Sequence, residues 1–127
     1  MSATVYTTDT AEDRTRALER IRDLLAGGRT VVIPTDTVYG IAADAFSPGA
    51  VSQLLAAKGR SRTMPPPVLI ADPGVLDALA ETVPETGRAL AERFWPGALT
   101  LIVRSQPSLN WDLGETRGTV ALRVPGD

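Results

Sequence analysis

The sequence predicts a layered α/β domain built on a mixed, twisted sheet. Two patterns alternate along the 127 residues: short apolar runs typical of strands, and apolar stripes at helical spacing. Eleven glycines and ten prolines fall between these segments. A chain of this length buries roughly two-thirds of the surface that it exposes when unfolded. We therefore expect a single domain over residues 1–127 with a core of its own.

The first quarter of the chain contains two predicted strands and one helix. Residues 3–7 (ATVYT) are expected to form a short strand. Asp9 with Glu12 three residues later predicts a capping box, and Gly27–Gly28 predicts the end of that helix. The run at 30–34 (TVVIP) is typical of a strand covered on both faces. The stripe that the helix turns to the core is Leu18, Ile21, Leu24 and Leu25.

The middle of the chain predicts three helices around one buried strand. The second helix is expected to begin at Ser47–Pro48 and to end at Gly59. A strand follows at 68–71, a third helix begins at Asp72–Pro73, and a fourth begins at Pro84. The second helix is expected to bury Val51, Leu54 and Leu55, and the fourth carries Leu90 and Phe94 one turn apart.

The last quarter predicts two strands, at 99–103 (LTLIV) and 119–124 (TVALRV). The predicted order is therefore β-α-β-α-β-α-α-β-β. The aromatic turn Phe94-Trp-Pro-Gly97 is expected to pack the strand at 99–103 against the fourth helix. Residues 105–118 are the longest segment without a predicted element, and we expect them to be mobile or to act as a lid.

The composition excludes several classes of chemistry. The chain has no cysteine and no histidine, which excludes disulfides, thiolate nucleophiles, the usual zinc sites and Ser–His–Asp triads. The net charge of −2 argues against a protein that binds nucleic acid through a net positive electrostatic potential. Apolar runs are far shorter than the roughly 18 residues of a membrane span, and the N-terminus is unlike a signal peptide. We therefore expect no membrane association and a cytoplasmic location.

The first candidate site is the turn Pro34-Thr-Asp-Thr-Val-Tyr-Gly40, directly after the apolar run at 30–34. Ligand sites in open α/β sheets lie beyond the carboxyl ends of strands, where this turn places an aspartate, two threonines and a tyrosine. In a second interpretation, Asp36 and the threonine hydroxyls satisfy only the backbone of their own turn. Position alone slightly favours that second interpretation.

The second candidate site is the basic loop, residues 58–63 (KGRSRT). Residues 45–71 contain three cations and no acidic residue, so the other 100 residues carry a net charge of −5 (−2 minus +3). Cations at a helix C-terminus also complement the helix dipole. We favour an anion site, with Lys58, Arg60 and Arg62 on one side of the loop. Three arginines near the last strands are candidates to extend it: Arg104, Arg117 and Arg123.

Four segments, in this order and spacing, resemble the YrdC-type domain of the threonylcarbamoyl-AMP (L-threonylcarbamoyladenylate) synthases. They are Gly28–Gly40, Ala57–Arg60, Phe94–Thr100 and Thr119–Pro125. Each is weak alone, and the four together are specific. The resemblance implies a YrdC/RibB-like twisted mixed sheet flanked by helices, with a basic concave cavity.

The resemblance also implies a nucleotidyl transfer. L-threonine, bicarbonate and ATP give threonylcarbamoyl-AMP and pyrophosphate, for the threonylcarbamoyladenosine modification of tRNA. It implies Mg²⁺ accompanying ATP and no protein-bound metal site. The implied partners are the machinery that transfers the threonylcarbamoyl group to tRNA, and a direct contact with tRNA or double-stranded RNA.

Residue by residue, Thr37 matches the family threonine that contacts L-threonine, and Tyr39 in the same turn is expected to wall that pocket. Lys58 and Arg60 match the catalytic Lys-x-Arg that handles the phosphates of ATP. Two further ATP contacts are implied, Arg62 and Thr119.

The chain departs from the family pattern at three places. Met64 stands where many relatives have asparagine, and Leu69 where some have histidine. The family also continues past the segment at 123–125, with a Ser-x-Asn segment that completes both pockets, so we expect this domain to lack the family's C-terminal part and to be weak or inactive as it stands. The alternatives are an RNA-binding YrdC-like module, a domain of a larger carbamoylating enzyme, and a relative that binds nucleotide without turnover.

Overall fold

The computed structural model describes residues 3–126, which form four α-helices and six strands. The predicted α/β class is confirmed. In chain order the elements are α1 (Ala11–Ala26), β1 (Val31–Ile33), β2 (Gly40–Ala42), α2 (Pro48–Ala57), β3 (Val68–Leu69), α3 (Leu76–Leu79, preceded by a turn of 3₁₀ helix at Pro73–Val75), β4 (Ala80–Thr82), α4 (Glu85–Phe94), β5 (Leu101–Ser105) and β6 (Thr119–Arg123).

The main sheet has four strands in the order β3-β6-β5-β4 and is mixed, as predicted. The β3–β6 pair is parallel, with Val68 opposite Leu122, and the other two pairs are antiparallel. Leu122 is completely buried at the centre of the core. The core also takes in Val51 and Leu55 of α2, and Ala91 of α4. Helices α2 and α4, which the sequence predicted, therefore pack into the same core as the sheet.

Strands β1 and β2 form a separate antiparallel pair, in which Val32 lies opposite Ile41. The expectation that the run at 30–34 is covered on both faces is wrong, because Val32 is 65% exposed. A two-stranded sheet with helix α1 beside it leaves its second face open to solvent. Neither β2 nor β4 was predicted, because neither lies in an apolar run like those that contain β1 and β3.

The N-terminal segment also differs from expectation. Residues 3–7 form no strand: Val5 is 86% exposed, and a strand without a pairing partner has no hydrogen-bond ladder. The N-cap of α1 is Thr10 rather than Asp9, because the Thr10 Oγ1 accepts the Asp13 N–H at 3.1 Å. Leu18 of the predicted stripe is exposed, whereas the other three members are half-buried.

The two longer helices beyond α1 behave largely as predicted. Ser47 caps α2 through its Oγ, and Val51, Leu54 and Leu55 are buried. The aromatic turn after α4 packs through Trp95, whose Nε1–H donates to the Leu99 carbonyl at 2.8 Å. The same expectation for Phe94 is wrong, because that ring is 52% exposed.

Within residues 3–126, none of the helices combines the length and the apolar content needed to cross a bilayer.

Candidate functional site

A cavity of about 670 Å³ opens between the β1–β2 turn, helix α2 and strand β3. Most of its wall is apolar, and it includes Leu69 of β3. The charged residues that line it are Asp44, Lys58 and Arg123. An apolar cavity with a few convergent polar groups is the usual form of a small-molecule site.

The turn at 34–40 is closed by the hydroxyl of Thr35. Its Oγ1 accepts the N–H groups of Thr37 and Val38, each at 3.2 Å, and donates to the Val38 carbonyl at 2.6 Å. The Thr37 Oγ1 lies 3.1 Å from the Thr35 Oγ1. The two Thr35 lone pairs are taken by the Thr37 and Val38 N–H groups and its proton by the Val38 carbonyl. The Thr37 side chain lines the cavity with a hydroxyl that can donate or accept a hydrogen bond.

Asp36 does not serve its own turn, so the interpretation that it does is wrong for this residue. Its Oδ1 accepts from the Arg123 Nη1 at 3.3 Å, and its Oδ2 accepts from the Gly126 N–H at 2.8 Å. The Arg123 Nε–H in turn donates to the Thr100 Oγ1 at 3.1 Å. The two ion-paired side chains are 15–20% exposed. Asp36 thus joins the first candidate turn to the end of β6.

Lys58 caps helix α2 and lines the cavity, so the structure brings it to the same cavity as Thr37. Arg60 follows on the exposed loop, where its N–H donates to the Leu55 carbonyl at 2.9 Å. Its side chain is not part of the cavity lining. The expectation that three cations of the basic loop share one side is therefore not met.

Arg62 is turned away, toward the segment at 105–118. Its Nη2 donates to the Asp112 Oδ1 at 2.7 Å, and its carbonyl accepts the Glu115 N–H at 2.7 Å. The Arg62 hydrogen bond, helped by the Gly114 N–H, holds the pKa of Asp112 below its ordinary value, and Asp112 raises the pKa of Arg62. Residues 105–118 are anchored to the core, because Leu113 of this segment is only 3% exposed and belongs to the core cluster.

Two aromatic rings form part of the cavity wall. Trp111 stacks on Phe46 with ring centroids 5.3 Å apart and planes 25° from parallel. The sequence pointed to Trp111 only as a member of a long loop, and Phe46 was missed. No periodicity marks an aromatic residue next to a helix cap, so only the long-range packing reveals this pair.

Two other predicted site residues lie outside the cavity lining. Tyr39 is 76% exposed and lies outside the cavity lining, and its contact with L-threonine stays a prediction. Thr119 begins β6, where its hydroxyl donates to the Thr116 carbonyl at 2.7 Å. Of the two residues that depart from the family pattern, Leu69 lines the cavity, whereas Met64 is exposed and lies outside its wall.

Carboxylates are sparse at the site. Among the described residues, Asp44 is the one acidic residue that lines the cavity. Its Oδ1 accepts the Phe46 N–H at 2.9 Å. Among residues 3–126, no three Asp or Glu side chains come together as a metal-binding group.

Comparison with known proteins matches residues 23–127 to the Sua5/YciO/YrdC family model, described as "Telomere recombination". A Mycobacterium leprae protein, provisionally named a threonylcarbamoyl-AMP synthase, is 53% identical over 90% of this chain and 52% of its own. The Bacillus subtilis threonylcarbamoyl-AMP synthase is 43% identical over 80% of this chain and 30% of its own. The chain therefore spans about half the length, or less, of these relatives.

Among solved structures, the crystal structure of Pyrococcus abyssi Sua5 in complex with L-threonine superposes with a TM-score of 0.81 at 35% sequence identity. The match covers 87% of this chain and 32% of that one. The family model, the sequence relatives and the fold agree with one another and with the four segments that carry the resemblance. The chain belongs to the Sua5/YciO/YrdC family.

Proposed function

We propose that this chain binds L-threonine and ATP in the 670 Å³ cavity and supports synthesis of threonylcarbamoyl-AMP from L-threonine, bicarbonate and ATP. The observation that carries the proposal is that Thr37, Lys58 and Arg123 line one cavity with an otherwise largely apolar wall. The names of the relatives and the L-threonine in the similar Sua5 structure support the same substrates.

L-threonine fits the polar groups of this cavity. Arg123 offers its guanidinium to the carboxylate as a charged hydrogen-bond donor. The Thr37 Oγ1, which lines the same cavity, accepts a hydrogen bond from the α-amine. Leu69 and the neighbouring apolar wall take the methyl group of the substrate. This arrangement fixes the amine that has to react.

The chemistry then needs position more than a protein nucleophile. The amine nitrogen bonds to the carbon of bicarbonate and water leaves, which gives a carbamate. A carbamate oxygen attacks the α-phosphorus of ATP, the bond from that phosphorus to the bridging oxygen breaks, and pyrophosphate leaves with the electron pair. Cationic side chains stabilise the charge that develops on the phosphate oxygens. A nucleotidyltransferase of this kind can work without histidine and cysteine.

Lys58 is the cation that we assign to the phosphates of ATP, with Arg60 reaching them from the exposed loop beside the cavity. Contacts from Arg62 and Thr119 stay predictions, and for Arg62 such a contact means sharing the guanidinium with Asp112. Mg²⁺ belongs to the substrate as the Mg–ATP complex, held by the phosphates. The product would be consumed by the machinery that transfers its threonylcarbamoyl group to tRNA.

The test is pyrophosphate release by the purified chain with Mg–ATP and bicarbonate, with and without L-threonine. We expect release that requires L-threonine. Lys58→Ala should lower kcat/KM for ATP by about 10²–10³-fold, the loss typical of one stabilising group. Thr37→Ala should raise the KM for L-threonine by about tenfold and the KM for ATP much less.

Asp77→Asn is the matched control, because Asp77 forms an ion pair with Arg88 on the exposed surface and lies outside the cavity that Thr37 and Lys58 line. It should leave both constants unchanged. Nucleotide binding without threonine-dependent release would identify a binding-only relative. Unchanged kinetics in Lys58→Ala would contradict the phosphate assignment.

A further inference from the structure

We infer that Asp36 is a positioning residue that holds both polar halves of the L-threonine site, the Thr37 hydroxyl and the Arg123 guanidinium. The inference rests on the proposed function, in that it names the residue on which the two substrate contacts depend. Asp36 itself faces Arg123 and Gly126, and it is not part of the cavity lining. It therefore acts through its neighbours.

The first step concerns Arg123. Thr100 accepts the Nε–H at 3.1 Å and Asp36 accepts from Nη1 at 3.3 Å, so acceptors on two different sides of the guanidinium fix its plane. The Nη2 group is left for a ligand in the cavity that Arg123 lines. Since a guanidinium is planar, fixing two of its nitrogens orients the remaining donors.

The second step concerns the turn. Thr37 directly follows Asp36, so the carboxylate that anchors Asp36 also anchors the backbone of Thr37. The anchor is the Gly126 N–H at 2.8 Å from Oδ2. The backbone two residues before Gly126 is also held in place, because the Gly97 N–H donates to the Val124 carbonyl at 2.9 Å. One carboxylate therefore ties together residues that lie 87 and 90 positions apart.

The third step is that no other side chain replaces this carboxylate. It accepts from two donors, one on each oxygen. Asparagine has the same shape, but it presents one acceptor and one NH₂ group, so one of the two donors would face another donor. Glutamate keeps the charge but is one methylene longer, which moves its oxygens away from the positions that Arg123 and Gly126 contact.

The experiment compares the whole chain with Asp36→Asn and Asp36→Glu by calorimetric titration with L-threonine. We expect a Kd raised about tenfold or more in both variants, since both lose the paired geometry. Asp77→Asn, which breaks the Asp77–Arg88 ion pair on the surface, should leave the Kd unchanged. Restoration of wild-type affinity by Asp36→Glu would overturn the inference, because charge alone would then suffice.

A second readout is amide hydrogen exchange at Thr37, Val38 and Gly126, which needs no ligand. Asp36→Asn should speed exchange at all three. Thr100→Val removes only the Nε acceptor of Arg123, so it should raise the Kd about threefold and leave exchange at Thr37 unchanged. If Asp36→Asn proves poorly folded, Asp36→Glu supplies the same exchange measurement at the three amides.

The outcomes separate the inference from the proposed function. If the wild-type chain does not bind L-threonine, the proposed function fails, and hydrogen exchange alone decides the positioning role. Faster exchange at Thr37 in Asp36→Asn supports that role. Unchanged exchange, or an unchanged Kd in a chain that binds L-threonine, overturns it.

Discussion

Replacing Gly114 with alanine should release the segment 105–118 from the basic loop. Gly114 has φ +106°, a conformation that L residues rarely adopt, and an added Cβ would lie 2.6 Å from the Arg62 carbonyl oxygen. That oxygen also accepts the Glu115 N–H at 2.7 Å. Relief of the clash therefore requires the backbone of the two loops to separate and the hydrogen bond to lengthen.

Three glycines allow the separate contributions to be measured. Gly49→Ala, at the start of α2 in open space, should stabilise the fold by roughly 0.5–1 kcal/mol. Gly59→Ala has a φ of +64° but meets no atom within 4 Å, so it should destabilise by about 1–2 kcal/mol through strain alone. Gly114→Ala adds the clash and the lost hydrogen bond, for a total of about 2–4 kcal/mol.

The assay is urea unfolding of the three variants and the wild-type chain, followed by tryptophan fluorescence. Trp111 stacks on Phe46 at the cavity wall, so its emission should also change in folded Gly114→Ala. A Gly114→Ala variant no less stable than Gly59→Ala would refute the reasoning, because the close approach to Arg62 would then carry no weight.

Three further predictions concern the core and the loops. Leu122→Ala should lower the free energy of unfolding by about 3–5 kcal/mol, since this side chain is completely buried. A loss under about 1 kcal/mol in thermal denaturation, the size of a surface change, would contradict this prediction. The Arg62–Asp112 pair lowers the pKa of Asp112, so its stabilisation is present above about pH 4, the unfolded value, and is lost as pH falls through the folded pKa. The difference in urea midpoint between wild type and Asp112→Asn should therefore shrink as the pH is lowered below about 4. A difference that does not change with pH would contradict a stabilising role of the pair. Trp95→Phe leaves the Leu99 carbonyl without its donor and should destabilise by about 1–3 kcal/mol in the same urea assay, where no change would show that water replaces it.

The sequence predicted the elements whose signals are local. Ser47–Pro48 carries a cap and a first-turn proline, and the helix begins there. The apolar runs at 99–103 and 119–124 became the two central strands. The α/β class with a mixed sheet follows from such elements, because each must bury one face against another.

The elements that were missed depend on pairing. Strands β2 and β4 have three residues each, and only their hydrogen-bond partners define them. Residues 3–7 have strand-like composition and no partner, so they stay irregular. Likewise the exposure of Val32 depends on how many strands lie beside it.

The site shows the same division. Thr37 and Lys58 were predicted from motifs, and the structure brings both to the cavity wall. The Asp36–Arg123 ion pair joins residues 87 positions apart, and Arg62 is held by Asp112 from a loop 50 positions away. Such pairings are set by the tertiary fold, so the sequence slightly favoured a local turn role for Asp36 and favoured an anion site that includes Arg62, and neither pairing was predicted.

The central claim is that this cavity makes threonylcarbamoyl-AMP, and detection of that product tests it most directly. The purified chain would be incubated with Mg–ATP, L-threonine and isotopically labelled bicarbonate, and the nucleotide products would be resolved by mass spectrometry. The account predicts an adenylate that carries both the label and the threonine, and that is lost in Lys58→Ala. Its absence under conditions where the chain is folded and binds both substrates would contradict the account.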